Sequence, residues 1–214
     1  MGILPTHPFR MYIVGASGSG KTNLLLNILT REQMYAGYFD SILIMSPTAL
    51  HLDKSYKVLN LDEKHFLECS VESLERIRDI QSSYVEKEGI EKSPKTLVIL
   101  DDIISFTRFC NSDVLRQFAV MSRHWNISLI ILSQAYHRIP KTVRLQMSAV
   151  IFFKGSNKEV DVLIEDFSPA GYTKRQFKRK INYATSQKFS FLFIDLHRSI
   201  ERGRYRKNLE ETIV

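Results

Sequence analysis

Several scarcities bound this sequence of 214 residues before any motif is considered. Cysteine occurs only at Cys69 and Cys110, with no metal-type spacing. That excludes a disulfide scaffold and points to a reducing compartment, cytosol or nucleus. Both cysteines read as small buried apolar residues. No apolar run reaches the roughly 18–20 residues that cross a bilayer, so no membrane span is expected. The first eight residues lack a basic n-region and a long apolar stretch, so no signal peptide is expected either. There is no internal repeat, low-complexity tract or linker. Apolar residues make up 44% and charged residues 25% of the chain, which excludes a mainly disordered protein and a collagen. Length and composition together predict one domain over 1–214, with a core over 1–155 and a basic extension of the same domain over 156–214.

Charge is present in excess of one sign, and it is uneven. The net charge is +7. Residues 1–100 carry 11 Lys/Arg against 12 Asp/Glu, whereas residues 101–214 carry 19 against 11. Between 174 and 207 there are 11 basic residues and two acidic ones, Asp195 and Glu201. Such asymmetry suggests a polyanion partner, a solvated basic face being the alternative. The candidate contacts are Lys174, Arg175, Lys178, Arg179 and Lys180 on a helix, and Arg202, Arg204, Arg206 and Lys207 on a tail. The first of these clusters also suits a nuclear-localisation signal.

Short apolar runs read as buried strands at 9–14, 41–46, 96–100, 127–132, 150–153 and 189–194. Between them, helical spacing predicts helices at 21–30, 72–88, 113–124, 140–147, 160–167 and 172–181. In the second of these, Leu74, Ile77, Ile80 and Tyr84 form the expected apolar side. Buried strands alternating with helices predict an α/β fold, a mostly parallel central sheet with helices on both faces.

Gly15-Ala16-Ser17-Gly18-Ser19-Gly20-Lys21-Thr22 fits G-x-x-x-x-G-K-[ST], with a strand before it and a helix after it. Glycine lets the backbone curl until successive N–H groups point at phosphate oxygens. The helix that begins near Lys21 adds its positive dipole end. Lys21 supplies a mobile cation for the β- and γ-phosphates of ATP, and Thr22 offers a hydroxyl to Mg²⁺. Asp101 ends an apolar strand, where a carboxylate holds Mg²⁺ opposite Thr22. Asp102 follows, pointing differently in strand geometry, and is the candidate to polarise the attacking water. The run 127–132 with Ser133-Gln134 reads as an extra strand between the Asp101 strand and the end of the sheet. A polar tip on such a strand marks P-loop ATPases of the additional-strand class, with Gln134 beside the γ-phosphate. Phosphoryl transfer also calls for an arginine. Arg123, Arg138 and Arg144 are the candidates, and Arg123 leads, acting in its own subunit or in a neighbour's site.

At these residues the sequence resembles the poxvirus-type genome-packaging ATPases of large DNA viruses and virophages, in the FtsK/HerA superfamily. The matching features run from Ile13 through Thr22, then the Leu97–Asp102 stretch with its double acid. Ser122-Arg123-His124 before Asn126-Ile127, and Leu132-Ser133-Gln134, complete the match. Together they cover about 9–155. The resemblance implies a Mg²⁺-dependent ATPase that threads double-stranded viral DNA into a preformed capsid. It implies a homo-oligomeric ring at a portal or vertex protein, working in the host-cell cytoplasm or viral factory, or the nucleus, and associating with the virion. Many superfamily members carry Glu where this chain has Asp102, one methylene shorter. That departure keeps open a nucleotide-gated DNA-binding or scaffold protein with little turnover. A small-molecule kinase of the thymidine-kinase type is a further alternative, although such a chain calls for a zinc cluster that two cysteines do not supply.

Overall fold

A strand covered on both faces can be apolar at nearly every position, and the runs predicted as strands have that character. The computed structural model describes residues 3–47 and 54–213, so Met1 and Gly2 of the N-terminal reading lie outside the described residues. In chain order the elements are β1 (Arg10–Val14), α1 (Lys21–Thr30), β2 (Ser41–Met45), β3 (Phe66–Leu67), α2 (Val71–Glu88), β4 (Thr96–Asp101), α3 (Thr107–Cys110) and α4 (Asp113–Met121). They continue with β5 (Ile127–Ser133), α5 (Lys141–Arg144), β6 (Ala149–Phe153), α6 (Asn157–Phe167), α7 (Lys174–Ala184), β7 (Phe191–Asp195), β8 (Tyr205–Lys207) and β9 (Glu211–Thr212). Among the described residues these strands form one sheet in the order β3-β2-β4-β5-β1-β6-β7-β8-β9. The pairs from β3 to β6 are parallel, and those from β6 to β9 are antiparallel. The fold is α/β with a mostly parallel sheet.

Alternate side chains of the central strands enter two cores. Tyr12, Val14, Val98, Leu100, Leu129 and Ile131 meet Leu74, Leu115, Phe118, Leu163 and Phe177 from α2, α4, α6 and α7. Met11, Ile13, Leu97 and Ile99 meet Leu25, Ile28 and Leu29 of α1 on the other face. Burial of each such side chain contributes on the order of 1.5–3 kcal/mol.

Two expectations are corrected. The extra strand β5 lies between β4 and β1, not toward the end of the sheet. Its residues pair with both neighbours, Leu132 with Asp101 and Ser133 with Val14. On α2, Leu74, Ile77 and Gln81 are buried, whereas Ile80 and Tyr84 are 50% and 47% exposed. Gln81 takes the inner stripe because its amide donates to Pro94 O at 2.5 Å and accepts from Thr96 Oγ1 at 3.2 Å. The tail that carries Arg206 and Lys207 is part of this sheet. It returns as β8 against β7, which buries Arg206 and Lys207.

Candidate functional site

β1, β4 and β5 end side by side, and that common edge builds the site. Gly15 N–H donates to Ser133 O at 3.1 Å, and Asp102 N–H donates to Leu132 O at 3.2 Å. The chain then turns through Gly15–Gly20 into α1. A Cβ on Gly15 would lie 2.6 Å from Phe153 Cβ and 2.7 Å from Ser19 Oγ, so only glycine fits there. Gly20 caps α1 in the left-handed region (φ 98°), with no side-chain cap and no acid in the first helical turn. The first N–H groups of a helix have no partner within it, and the dipole leaves this end positive. An uncapped, acid-free helix start of this kind suits an anion.

The Lys21 ammonium lies on Gly15 O at 2.7 Å and Ala16 O at 3.1 Å, over the loop. Burial lowers its pKa, and the charges of Asp101 and Asp102 act the other way. Thr22 stands in the first turn of α1, half-buried. Asp101 ends β4, and its Oδ2 accepts the Tyr56 hydroxyl at 2.6 Å. Tyr56 is almost fully buried. Asp102 has left the strand. It sits in the left-handed region (φ 54°) as the cap of a 3-10 turn, so this turn, not strand alternation, aims its carboxylate. Its Oδ2 accepts the Gln134 amide at 2.9 Å, while its buried Oδ1 has no partner among the described residues. Lys21, Thr22, Asp101, Asp102 and Gln134 line one cleft of about 560 Å³.

These groups fit a nucleoside triphosphate with Mg²⁺. The loop opens on a position that only glycine fits, and the buried Ser19 Oγ and Asp102 Oδ1 each lack a partner among the described residues. Among the described residues no group of three or more His/Cys/Asp/Glu is placed to hold a metal ion by itself. Mg²⁺ bound through one carboxylate, a hydroxyl and substrate phosphates needs none.

Other candidates lie apart. Arg123 is exposed in the turn that precedes β5, at the opposite end of that strand from Gln134. Seven residues of strand at ~3.3 Å each separate it by roughly 20 Å from the site of its own chain. Arg144 is buried against Asp166 at 2.8 Å and over the Tyr136 ring. Arg138 is exposed, a few residues past Gln134.

Among the basic residues, Lys174, Arg175, Arg179 and Arg202 are exposed. Lys178 lies 3.9 Å from Asp161, and Lys180 covers the Tyr172 ring. Arg204 donates to Arg198 O. Arg206 and Lys207 are corrected as contacts for an outside polyanion. The Arg206 guanidinium donates to Leu209 O and Ile3 O and faces Asp195 at 3.5 Å, and burial lowers its pKa to about 10. The Lys207 ammonium lies 4.7 Å from the Tyr183 ring centre. Tyr56, which donates to Asp101, and Phe189, which lines the cleft, carry no signal in local spacing.

Known proteins are similar to this chain in sequence and in fold. The model of the family described as Poxvirus A32 protein matches residues 2–195. DNA packaging protein OPG160 of Vaccinia virus (strain Copenhagen) is 29% identical over 173 residues, which cover 78% of this chain and 61% of the relative. The chain thus spans about three fifths of the length of the curated relatives it matches. Among solved structures, B204, the DNA-packaging ATPase from Sulfolobus Turreted Icosahedral Virus, aligns with a TM-score of 0.61 at 15% identity, over 90% of this chain and 95% of that one. EssC (ATPases 2 and 3) from Geobacillus thermodenitrificans aligns at 0.51 and 15%, over 78% and 35%. At those identities the likeness is one of fold.

Proposed function

We propose that this chain, which belongs to the Poxvirus A32 protein family, is a Mg²⁺-dependent ATPase that drives double-stranded viral DNA into a preformed capsid. The observation that carries the reading is the gathering of Lys21, Thr22, Asp101, Asp102 and Gln134 in one cleft. Its relatives bear the name DNA packaging protein, which supports DNA as the cargo. The N–H groups of Gly15–Gly20 and the start of α1 cradle the phosphates, and Lys21 leaves the loop carbonyls to meet them. Thr22 and Asp101 hold Mg²⁺, which supplies neutralising charge at the phosphate oxygens when bound. Asp102 and Gln134 orient and polarise the attacking water, Asp102 through the oxygen that Gln134 does not occupy.

An arginine at the γ-phosphate has to come from elsewhere if it is Arg123, given the roughly 20 Å along β5. We therefore infer a homo-oligomeric ring in which Arg123 completes a neighbour's site. A ring also keeps hold of DNA while single subunits reset. It would dock on a capsid or portal protein in the host-cell cytoplasm or viral factory. The test is phosphate release by the purified chain titrated with duplex DNA, with particle mass recorded in parallel. Turnover that rises with DNA as the particle mass grows is expected. ATP binding with no turnover under any DNA load favours a nucleotide-gated binding protein instead.

A further inference from the structure

Phe189 stands in a place that folding alone does not favour. Its backbone lies in the left-handed region (φ 65°), which bulky side chains rarely adopt. Its ring is 56% exposed, while Phe153 and Phe191 beside it are buried. The short loop from α7 to β7 holds it there. Thr185 Oγ1 donates to Ile181 O at 2.9 Å, Gln187 N–H to Ser190 Oγ at 3.0 Å, and Ser190 Oγ to Gln187 O at 2.8 Å. Backbone strain of this sort gathers at ligand sites.

The ring's position says which ligand group it meets. A Cβ on Gly20 would lie 3.3 Å from Phe189 Cδ1, so the ring leans on the start of α1. Asp101, Asp102, Gln134, Asn23 and Phe189 all line the phosphate cleft, and of these only Asn23 and Phe189 also line a groove with Leu24 and Asn27 of α1. A nucleoside triphosphate whose terminal phosphates meet Lys21, Thr22 and the acids has room for its ribose and base on the side of Asn23 and Phe189, where the cleft adjoins that groove. There Phe189 borders two further grooves. One of about 270 Å³ runs along α1 past Asn23 and Asn27. The other, about 430 Å³, passes Lys154 and Gln187.

We propose that Phe189 is the platform on which the base of the bound nucleotide stacks, carried to the phosphate loop by the α7–β7 turn. This rests on the nucleotide reading of the cleft and assigns the side that Phe189 lines. Stacking on an aromatic ring tolerates any base, because every base has a π-face. The platform therefore adds affinity and little base selectivity. The Lys188 ammonium, 5.0 Å from the ring centre, adds a cation beside the stack.

The test compares ligands with and without a base on the full chain. Dissociation constants for ADP, GDP and tripolyphosphate are measured by calorimetry for wild type, Phe189→Ala and Phe189→Tyr, with the melting temperature as a check on folding. Phe189→Ala should weaken ADP and GDP alike, by roughly 5- to 100-fold, and leave tripolyphosphate unchanged. Phe189→Tyr should restore both nucleotides. Equal losses for ADP and tripolyphosphate would assign the ring to propping the phosphate loop, and no loss at all would remove it from the site; either overturns the proposal. In Phe189→Trp, ADP but not tripolyphosphate should quench the added fluorescence over that of Trp125, and absence of that quenching also counts against it. A wild-type chain that binds neither ADP nor tripolyphosphate overturns the nucleotide site itself, a separate result.

Discussion

At the scale of single residues, the groups that line the cleft differ in their partners, and under the proposed reading in their tasks. Lys21 is the cation held over the loop, on Gly15 O and Ala16 O. Lys21→Ala should abolish hydrolysis and weaken ATP binding strongly, as measured by phosphate release and by calorimetry. Near-normal turnover in a folded variant would sink the nucleotide site. The two acids differ in partners, Asp101 with the Tyr56 hydroxyl and Asp102 with the Gln134 amide. Asp102→Asn should keep Mg-ATP affinity and slow hydrolysis by about tenfold or more, since an amide polarises water poorly. Asp101→Asn should lower Mg²⁺-dependent binding first. Identical behaviour of the two variants would show that the division of roles is wrong.

At the scale of elements, α7 carries a cluster of accessible basic side chains. Thr173 and Gln176 form a capping box at its start, and Phe177, Ile181 and Ala184 anchor its inner face. That leaves Lys174, Arg175 and Arg179 exposed to solvent. A grip on DNA that ignores sequence works through phosphates, each contact releasing counterions. Replacing these three residues with Gln should weaken duplex binding similarly for all sequences. The salt slope should become shallower by up to about three units, one per contact. Binding isotherms at several salt concentrations measure this. An unchanged slope would move the DNA contact elsewhere. Arg206→Gln should act differently, lowering the melting temperature, because it removes a buried guanidinium that β8 and the chain end share.

At the scale of the whole molecule, the sheet holds Arg123 and the cleft at opposite ends of β5. A ring that places one subunit's Arg123 turn against the next subunit's cleft would join them. Arg123→Ala should then lose turnover while keeping nucleotide affinity. Mixing it with Lys21→Ala protein should restore part of the activity, since a mixed interface holds one intact site. Phosphate release from the mixture is the measurement. A monomer that is fully active with DNA would remove both the ring and the role of Arg123 across its interface.

What the sequence by itself determined is local. The phosphate loop from Gly15 to Thr22, the start of α1 and the apolar strands before Gly15 and at Asp101 depend on residues adjacent in the chain, and spacing reveals them. The pairing of β5 with both β4 and β1 was decided only by tertiary structure, because register is a property of neighbouring strands. The same holds for Tyr56, which reaches Asp101 across 45 residues of chain, and for Phe189, which reaches Gly20 through the α7–β7 turn. Charge was legible as a count, but its availability was not. Arg206 and Lys207 look like Arg202 in sequence, yet the antiparallel return of β8 buries the first two and leaves the third in solvent. Side-chain type is written residue by residue, whereas burial depends on which distant segments fold over it.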